Sequence, residues 1–253
     1  MVGMKIQFLG SGVAIPRPGR VQSGIAVETE NGRLLLFDCG AGVLQRLFES
    51  GRDPRDVDAI ILTHLHLDHV ADVLPLLKSR WLCEKNDCVI YGPQGTREWL
   101  DGLFGLYPYL QGRFDLSVTE LKPDRQIVLD GSDCRLSCAA GVHSVPSLGY
   151  RLEDGGKIMV YTGDTEPCDS LMELAQGADI LIHECSFPPG FDVDCHTTPN
   201  MLAPYLEKLD AGKLYLTHLY PQMQGHEQES LEYLRSRFKG EVHIASDLLE
   251  IDP

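Results

Sequence analysis

The apolar positions of this chain form short runs of strand and helix length, separated by turn residues. Apolar and β-branched residues predict strands over Lys5–Leu9, Ile25–Thr29 and Leu34–Asp38, and Asn31-Gly32 predicts the hairpin turn between the last two. The later runs predict helices over Val43–Glu49, Val70–Arg80, Thr96–Phe104, Ser170–Gln176, Pro199–Leu209 and Glu227–Arg237, and strands over Val57–Leu62, Val89–Tyr91, Asp179–His183, Lys213–Leu216 and Val242–Ala245, with further strands between Leu116 and Tyr161. Because no linker or repeat interrupts this alternation, we expect one α/β (α+β) domain over residues 1–253.

Length and cysteine usage are typical of a cytoplasmic protein. The chain has 253 residues, which is enough to bury a large core. It has no run of about 18 apolar residues, and Met1–Gly10 lacks the basic and apolar regions of a signal peptide. The eight cysteines include no Cys-x-x-Cys pair and are expected to be reduced thiols. We therefore expect a cytoplasmic protein without membrane association.

The net charge limits the kind of partner. The formal charge is −15 at pH 7, and Lys and Arg form no cluster beyond short mixed stretches such as Arg52–Arg55. A protein that grips a long polyanion needs a basic face, which releases counterions from the phosphates. Extensive nucleic-acid contact is therefore disfavoured, and a small molecule or short oligonucleotide is the expected substrate.

Residues 63–69 read Thr-His-Leu-His-Leu-Asp-His, directly after the predicted strand Val57–Leu62. His64 and His66 are two apart in extended chain, so both rings point to one side. Asp68 and His69 begin a predicted helix and can face a second point nearby. Imidazole and carboxylate ligands without cysteine suit Zn²⁺ in a catalytic site, while Mn²⁺ or Fe²⁺ also fits. The sequence therefore predicts two divalent metal ions per chain.

This motif resembles the hallmark of the metallo-β-lactamase superfamily, and further matches follow in order along nearly the whole chain. They are His143 in Gly-Val-His-Ser, Asp164 in Gly-Asp-Thr and His218 in Leu-Thr-His-Leu. The resemblance implies a four-layer αββα sandwich with both metals at one edge, between two sheets. It also implies one ion on His64, His66 and His143, a second on Asp68, His69 and His218, and Asp164 as a bridge between them.

Two further motifs resemble those of ribonuclease Z-type phosphodiesterases. His183-Glu184-Cys185-Ser186 is similar to their His-Glu-Ala-Thr motif, and His196-Thr197-Thr198 is similar to their His-Ser-Thr motif. The resemblance implies that Glu184 orients His196 beside the metals, where the ring stabilises phosphoryl oxygens or protonates the departing alkoxide. The alternative is that Glu184 only ends a strand and His196 lies in a loop. Asp68 is a third candidate catalytic residue, because it can orient the attacking water.

The chain also departs from the ribonuclease Z pattern. Arg20 and Ser23 match the start of that family, but Pro18 and Val21 replace its lysine and asparagine. The long Gly/Lys-rich insertion that grips transfer RNA is missing. In the middle of the chain lies the apolar stretch Trp99–Tyr109, which is interpreted as packing, with a lid or the surface of a homodimer as alternatives.

The expected reaction is hydrolysis of a small or short phosphodiester, such as a cyclic nucleotide or short oligonucleotide. Two metals about 3.5–4 Å apart that share a water lower its pKa to near 7, and the metal-bridging hydroxide then attacks in line. Three alternatives stay open: a transfer-RNA 3′-end processing endoribonuclease, an arylsulfatase or lactonase, and a metal-dependent binding or sensor protein without turnover.

Overall fold

The computed structural model describes residues 3–129 and 134–253, and its strands form two seven-stranded sheets. The first sheet has the order β14-β1-β2-β3-β4-β5-β6, with the strands β1 (Lys5–Gly10), β2 (Gly24–Glu28), β3 (Leu34–Phe37), β4 (Val57–Ile61), β5 (Asp87–Gly92), β6 (Asp115–Glu120) and β14 (Glu250–Ile251). The second has the order β13-β12-β11-β10-β9-β8-β7, with β7 (Gln126–Val128), β8 (Arg135–Ala140), β9 (Leu148–Asp154), β10 (Lys157–Tyr161), β11 (Ala178–Glu184), β12 (Ala211–Thr217) and β13 (Glu241–Ile244).

Each sheet has a parallel part and an antiparallel part. Strands β3 to β6 are parallel in the first sheet, and β10 to β13 are parallel in the second. The helices are α1 (Val43–Glu49), α2 (Leu67–Val70), α3 (Val73–Leu82), α4 (Thr96–Leu106), α5 (Asp169–Leu174), α6 (Pro199–Leu206) and α7 (Glu227–Arg235). Within the described ranges, no helix is long and apolar enough to span a membrane.

Successive side chains along each strand point to opposite faces of its sheet and so pack into two different layers of the sandwich. In β3, Leu35 and Phe37 belong to the apolar core between the sheets, whereas Leu34 and Leu36 pack with the helix residues Leu47 and Leu76. The second sheet packs in the same way against a core shared with α5, α6 and α7. The chain is therefore a four-layer αββα sandwich, and the predicted fold class is confirmed.

The local predictions hold with one instructive difference. The hairpin turn is present, with Gly32 at φ 76° and its N–H donating to the Thr29 carbonyl oxygen at 2.8 Å. The predicted helix Val70–Arg80 is instead two helices, α2 and α3, with a break at Ala71 and Asp72. The Asp72 carboxylate accepts hydrogen bonds from Gly42 N and Leu44 N, at the start of α1. Asp72 thus caps another helix, which no pattern within the 70–80 segment could indicate.

A buried arginine fixes the strand that leads into the histidine motif. Arg80 on α3 is only 2% exposed. Its Nη1 donates to the carbonyl oxygens of Pro54, Arg55 and Val57 at 2.7, 3.0 and 2.9 Å, and Nη2 donates to that of Asp87 at 2.7 Å. The guanidinium therefore joins the beginnings of β4 and β5 to the helix layer.

Replacing Arg80 is expected to destabilise the fold. Arg80→Ala should lower the free energy of unfolding by about 2–3 kcal/mol, because it leaves several carbonyl groups at the beginnings of two strands without donors. Urea denaturation followed by circular dichroism measures the change. Arg237→Ala is the matched control, since Arg237 is an exposed partner of Glu207 and its removal should leave the urea midpoint essentially unchanged. An equally small effect for Arg80→Ala would contradict the structural role.

Candidate metal centre

The predicted metal ligands lie at the carboxyl ends of strands from both sheets. The motif from His64 to His69 follows β4 in the first sheet, and its last part forms α2. In the second sheet, His143 follows β8, Asp164 follows β10 and His218 follows β12. The sandwich therefore brings distant segments to one edge, such as those of Asp68 and His218, which are 150 residues apart in sequence.

The structure brings all seven candidate ligands together in overlapping groups. The nearest ligand atoms of His64, His66 and His143 lie within 4.8 Å of one another, as do those of Asp68, His69 and His218. In the first group, His143 Nε2 is 3.1 Å from His66 Nδ1. In the second, His218 Nε2 is 3.4 Å from Asp68 Oδ2. These are the two sets that the family resemblance implies.

Asp164 lies between the two groups. Its Oδ1 is 3.3 Å from His69 Nε2, while its Oδ2 is 3.3 Å from His218 Nε2 and 3.8 Å from His64 Nε2. The preceding Gly163 has φ 61°, and a Cβ there would lie 2.6 Å from the Thr63 Cβ. Only glycine therefore lets the Asp164 strand end approach the histidine motif so closely. This position suits a ligand that both ions share.

Two buried atoms show that the cluster fits divalent cations. His64 Nε2 and Asp164 Oδ1 are buried and have no hydrogen-bond partner, which is costly unless a cation binds there. Burial and the nearby His69 hold the pKa of His64 well below its ordinary value, so the ring is neutral as a metal ligand must be. Burial opposes ionisation of Asp68, but the hydrogen bond with His218 and the charge of His69 outweigh it and lower its pKa to about 2.

Asp38 supports the ligands from behind, and the sequence reasoning missed it. This buried carboxylate lies 2.7 Å from His69 Nδ1 through Oδ2, which also accepts from the hydroxyls of Thr63 at 2.8 Å and Tyr161 at 2.9 Å. The Thr63 hydroxyl in turn lies 3.0 Å from His64 Nδ1. Asp38 has φ 57°, an unusual conformation for a residue other than glycine. The available signal was a lone aspartate directly after the apolar run Leu34–Phe37.

Glu184 and His196 form a pair beside the cluster. His196 Nδ1 is 2.8 Å from Glu184 Oε1. Glu184 Oε2 accepts from the Ser186 hydroxyl at 2.6 Å, and that hydroxyl lies 3.1 Å from His218 Nδ1. Ser186 was also missed as a supporting residue. Burial lowers the pKa of His196, but the hydrogen bond and charge of Glu184 outweigh it, so this pKa is raised.

His196 also lies within reach of the metal cluster. Its nearest ring nitrogen and the nearest ligand atoms of Asp164 and His218 are all within 4.8 Å of one another. Asp68, the third candidate catalytic residue, accepts a hydrogen bond from Ala14 N at 3.0 Å through Oδ2. Asp68 and His196 therefore lie at the ligand cluster, whereas the buried Glu184 reaches it through His196.

The chain belongs to the metallo-β-lactamase superfamily, because residues 33–219 match the Beta-lactamase superfamily domain. The metal-ligand cluster at the sandwich edge agrees with this assignment, and the chain is a metal-dependent hydrolase.

Relatives and solved structures identify the branch. The chain is 28% identical to ribonuclease Z of Methanosarcina acetivorans and 30% identical to ribonuclease Z of Mycobacterium marinum, covering 98% of both sequences in each comparison. Its structure is similar to the metallo-beta-lactamase fold protein YhfI from Bacillus subtilis, with a TM-score of 0.84, 27% identity and 99% of both chains covered. It is also similar to the short form of human tRNase Z, with a TM-score of 0.80, 26% identity and 98% of both chains covered. The chain is therefore ribonuclease Z-like.

Removing the Asp38 carboxylate is expected to weaken metal binding. Asp38→Ala should lower the affinity for Zn²⁺ about 10- to 100-fold, because His69 loses the acceptor that fixes its ring. Competition with a chromogenic chelator measures the affinity, and elemental analysis gives the metal content. Asp164→Ala, which removes a candidate ligand itself, is the reference for a larger loss. Wild-type affinity in a folded Asp38→Ala variant would contradict the supporting role.

Proposed function

We propose that this chain, acting as a single domain, is a phosphodiesterase that hydrolyses small or short phosphodiesters, such as cyclic nucleotides or short oligonucleotides. The observation that carries the proposal is the Glu184–His196 pair at 2.8 Å beside the ligand cluster. A metal cluster alone is compatible with sulfate, lactone and phosphate substrates. A positioned imidazole beside it adds a donor for an anionic phosphoryl group and for its leaving oxygen.

The seven ligand residues are proposed to hold two divalent ions, most simply Zn²⁺ because of their histidine and carboxylate donors. His64, His66 and His143 would hold one ion, Asp68, His69 and His218 the other, and Asp164 would contact both. When bound, the two ions would supply positive charge for the phosphoryl oxygens and lower the pKa of a water molecule.

The remaining tasks fall to the chain's own side chains. Glu184 accepts the Nδ1–H of His196, and in the protonated ring Nε2 carries a second proton, which the phosphoryl oxygen or the leaving alkoxide would receive. Burial lowers the pKa of His196, but the hydrogen bond and charge of Glu184 raise it overall, which favours this protonated form. The carboxylate of Asp68, fixed by the Ala14 N–H, can orient the attacking water. Each residue thus has a task that its contacts support.

Processing of transfer-RNA 3′ ends is the second candidate, and the names of the relatives favour it. The net charge of −15 argues against a long RNA. The comparison with the Methanosarcina acetivorans enzyme extends over 303 aligned positions, whereas this chain has 253 residues. The difference, 303 minus 253, leaves at least 50 positions of that alignment without a residue here. The shorter acidic chain therefore supports the smaller substrate.

Hydrolysis of bis(p-nitrophenyl) phosphate by metal-replete protein tests the proposed reaction, with aryl sulfates and lactones as competing substrates. Loss of turnover on chelation, and its return with Zn²⁺, is expected. A folded, metal-loaded protein that cleaves none of these phosphodiesters would favour a binding or sensor role. Faster cleavage of aryl sulfates or lactones would favour those alternatives.

Binding to full-length transfer RNA is expected to be weak and to depend little on salt. Because few basic side chains can neutralise phosphates, the affinity should fall less than about tenfold between roughly 50 and 200 mM salt. Filter binding across this range measures the slope, with cleavage of a precursor transfer RNA assayed in parallel. Submicromolar binding with a steep slope, together with correct 3′-end cleavage, would overturn the small-substrate proposal in favour of RNA processing.

Replacement of His196 is expected to reduce the rate without removing metal. His196→Ala should lower the phosphodiesterase rate about 10²- to 10⁴-fold, and Glu184→Gln should lower it less because the amide oxygen can still orient the ring. A proton-donor role predicts a smaller loss with p-nitrophenyl esters than with alkyl esters, since an acidic leaving group needs little protonation.

The control for this pair is His226→Ala, which removes an exposed histidine that pairs with Glu229 and belongs to none of the ligand groups, and it should keep the wild-type rate. Equal losses on both kinds of ester would indicate stabilisation of the phosphoryl oxygens instead. Loss of an equivalent of metal in His196→Ala would show that His196 is a ligand.

A further inference from the structure

The ring of His143 is held by a backbone carbonyl group that belongs to another loop. Its Nδ1 lies 2.7 Å from the carbonyl oxygen of Cys195. Because a carbonyl oxygen can only accept, Nδ1 carries the proton and donates it. Nε2, which lies 3.1 Å from His66 Nδ1, then keeps the lone pair that a metal ligand needs. The position of the Cys195 carbonyl group therefore fixes both the tautomer and the direction of the His143 ring.

Cys195 has a backbone conformation that its surroundings must maintain. Its φ is 64°, in the left-handed region that residues other than glycine rarely adopt. The residue is half-buried and follows the exposed Asp194, at the point where the loop returns to the buried Thr197. A strained residue at such a boundary needs a contact that holds its peptide group in place.

Glu166 contacts both of the segments that this hydrogen bond joins. Its Oε1 accepts a hydrogen bond from Cys195 N at 2.9 Å. Its own backbone N–H donates to the carbonyl oxygen of Val142 at 2.9 Å, next to His143 in the chain. It also lies two residues after the candidate bridging ligand Asp164. The Glu166 side chain thus ties Cys195 to the segments that carry two candidate ligands.

We propose that Glu166 is a positioning residue of the metal centre, which holds the Cys195 carbonyl group where it orients His143. The inference rests on the proposed two-ion arrangement, in which His143 is a ligand, and it adds a residue that is outside the ligand groups. The neighbouring His196 has a separate support, because Glu184 Oε1 accepts from its ring. Loss of the Glu166 carboxylate should therefore affect His143 more than His196.

The first measurement follows the His143 ring itself. In protein with isotope-labelled histidine, its hydrogen-bonded Nδ1–H should give a downfield NMR signal, assigned by its absence in His143→Ala. Glu166→Ala should shift or broaden this signal, and the signal of His69 Nδ1–H, which Asp38 accepts, should stay unchanged. Glu166→Gln should keep the His143 signal, because the amide oxygen can still accept from Cys195 N.

The second measurement is metal affinity, by competition with a chromogenic chelator. In Glu166→Ala, one of two Zn²⁺ equivalents should bind about 3- to 10-fold more weakly, a smaller effect than the 10- to 100-fold expected for a direct partner of a ligand. Glu166→Gln should bind both equivalents as the wild type does. Glu207→Ala, which removes an exposed carboxylate paired with Arg237, is the matched control and should change neither measurement.

Cys195→Gly separates the carbonyl group from the thiol. Glycine adopts this φ without strain and keeps the carbonyl group, so the variant should retain the His143 signal and both equivalents of Zn²⁺. Loss of metal in this variant would show that the thiol is itself a ligand and would overturn the proposed role of the carbonyl group.

An unchanged His143 signal in a folded Glu166→Ala variant, or an equal loss in Glu166→Gln, would also overturn the inference. Neither measurement requires turnover, so the two proposals can fail separately. A His143 signal that depends on Glu166, in a protein that cleaves no phosphodiester, would reject the proposed hydrolysis and keep the positioning role. Hydrolysis by a protein whose His143 signal is independent of Glu166 would do the reverse.

Discussion

The structure depends on placing a dense group of imidazoles and carboxylates where two apolar sheets meet. Such groups are costly to bury unless each has a partner. Two kinds of partner serve here: buried side chains on the outer side of the rings, and cations that would bind on the inner side. Buried side chains such as Asp38 and Glu184 hold the outer nitrogens of the rings, while the inner atoms face one another. Cations on the inner side would complete the balance for His64 Nε2 and Asp164 Oδ1, which are buried and make no hydrogen bond within the described residues. The geometry of the whole sheet edge follows from this requirement.

Much of the fold, and the grouping of the candidate ligands, could be predicted from the sequence because the motifs that carry them are local. Strand periodicity, the Asn31-Gly32 turn and the histidine motif each lie within a few residues, and the motif order supports the family resemblance. Asp38 could not be predicted, because its importance comes from Thr63 and Tyr161, which are distant in sequence.

The break after α2 was missed for the same reason. Asp72 lies between α2 and α3, where its carboxylate caps α1, a helix about 30 residues earlier in the chain. The prediction therefore failed where long-range packing, rather than local pattern, decides the role of a residue.

The hydroxyl of Tyr161 has a consequence for the stability of the whole sandwich. Tyr161 lies on β10 in the second sheet, yet it donates to Asp38, which follows β3 in the first sheet and holds His69. The candidate ligand His69 is thus joined, through Asp38 and Tyr161, to both sheets. Any cation that binds the folded chain more tightly than the unfolded chain then shifts the folding equilibrium by mass action. The concentration of free metal would therefore affect the free energy of unfolding of the sandwich as well as the hydrolytic rate.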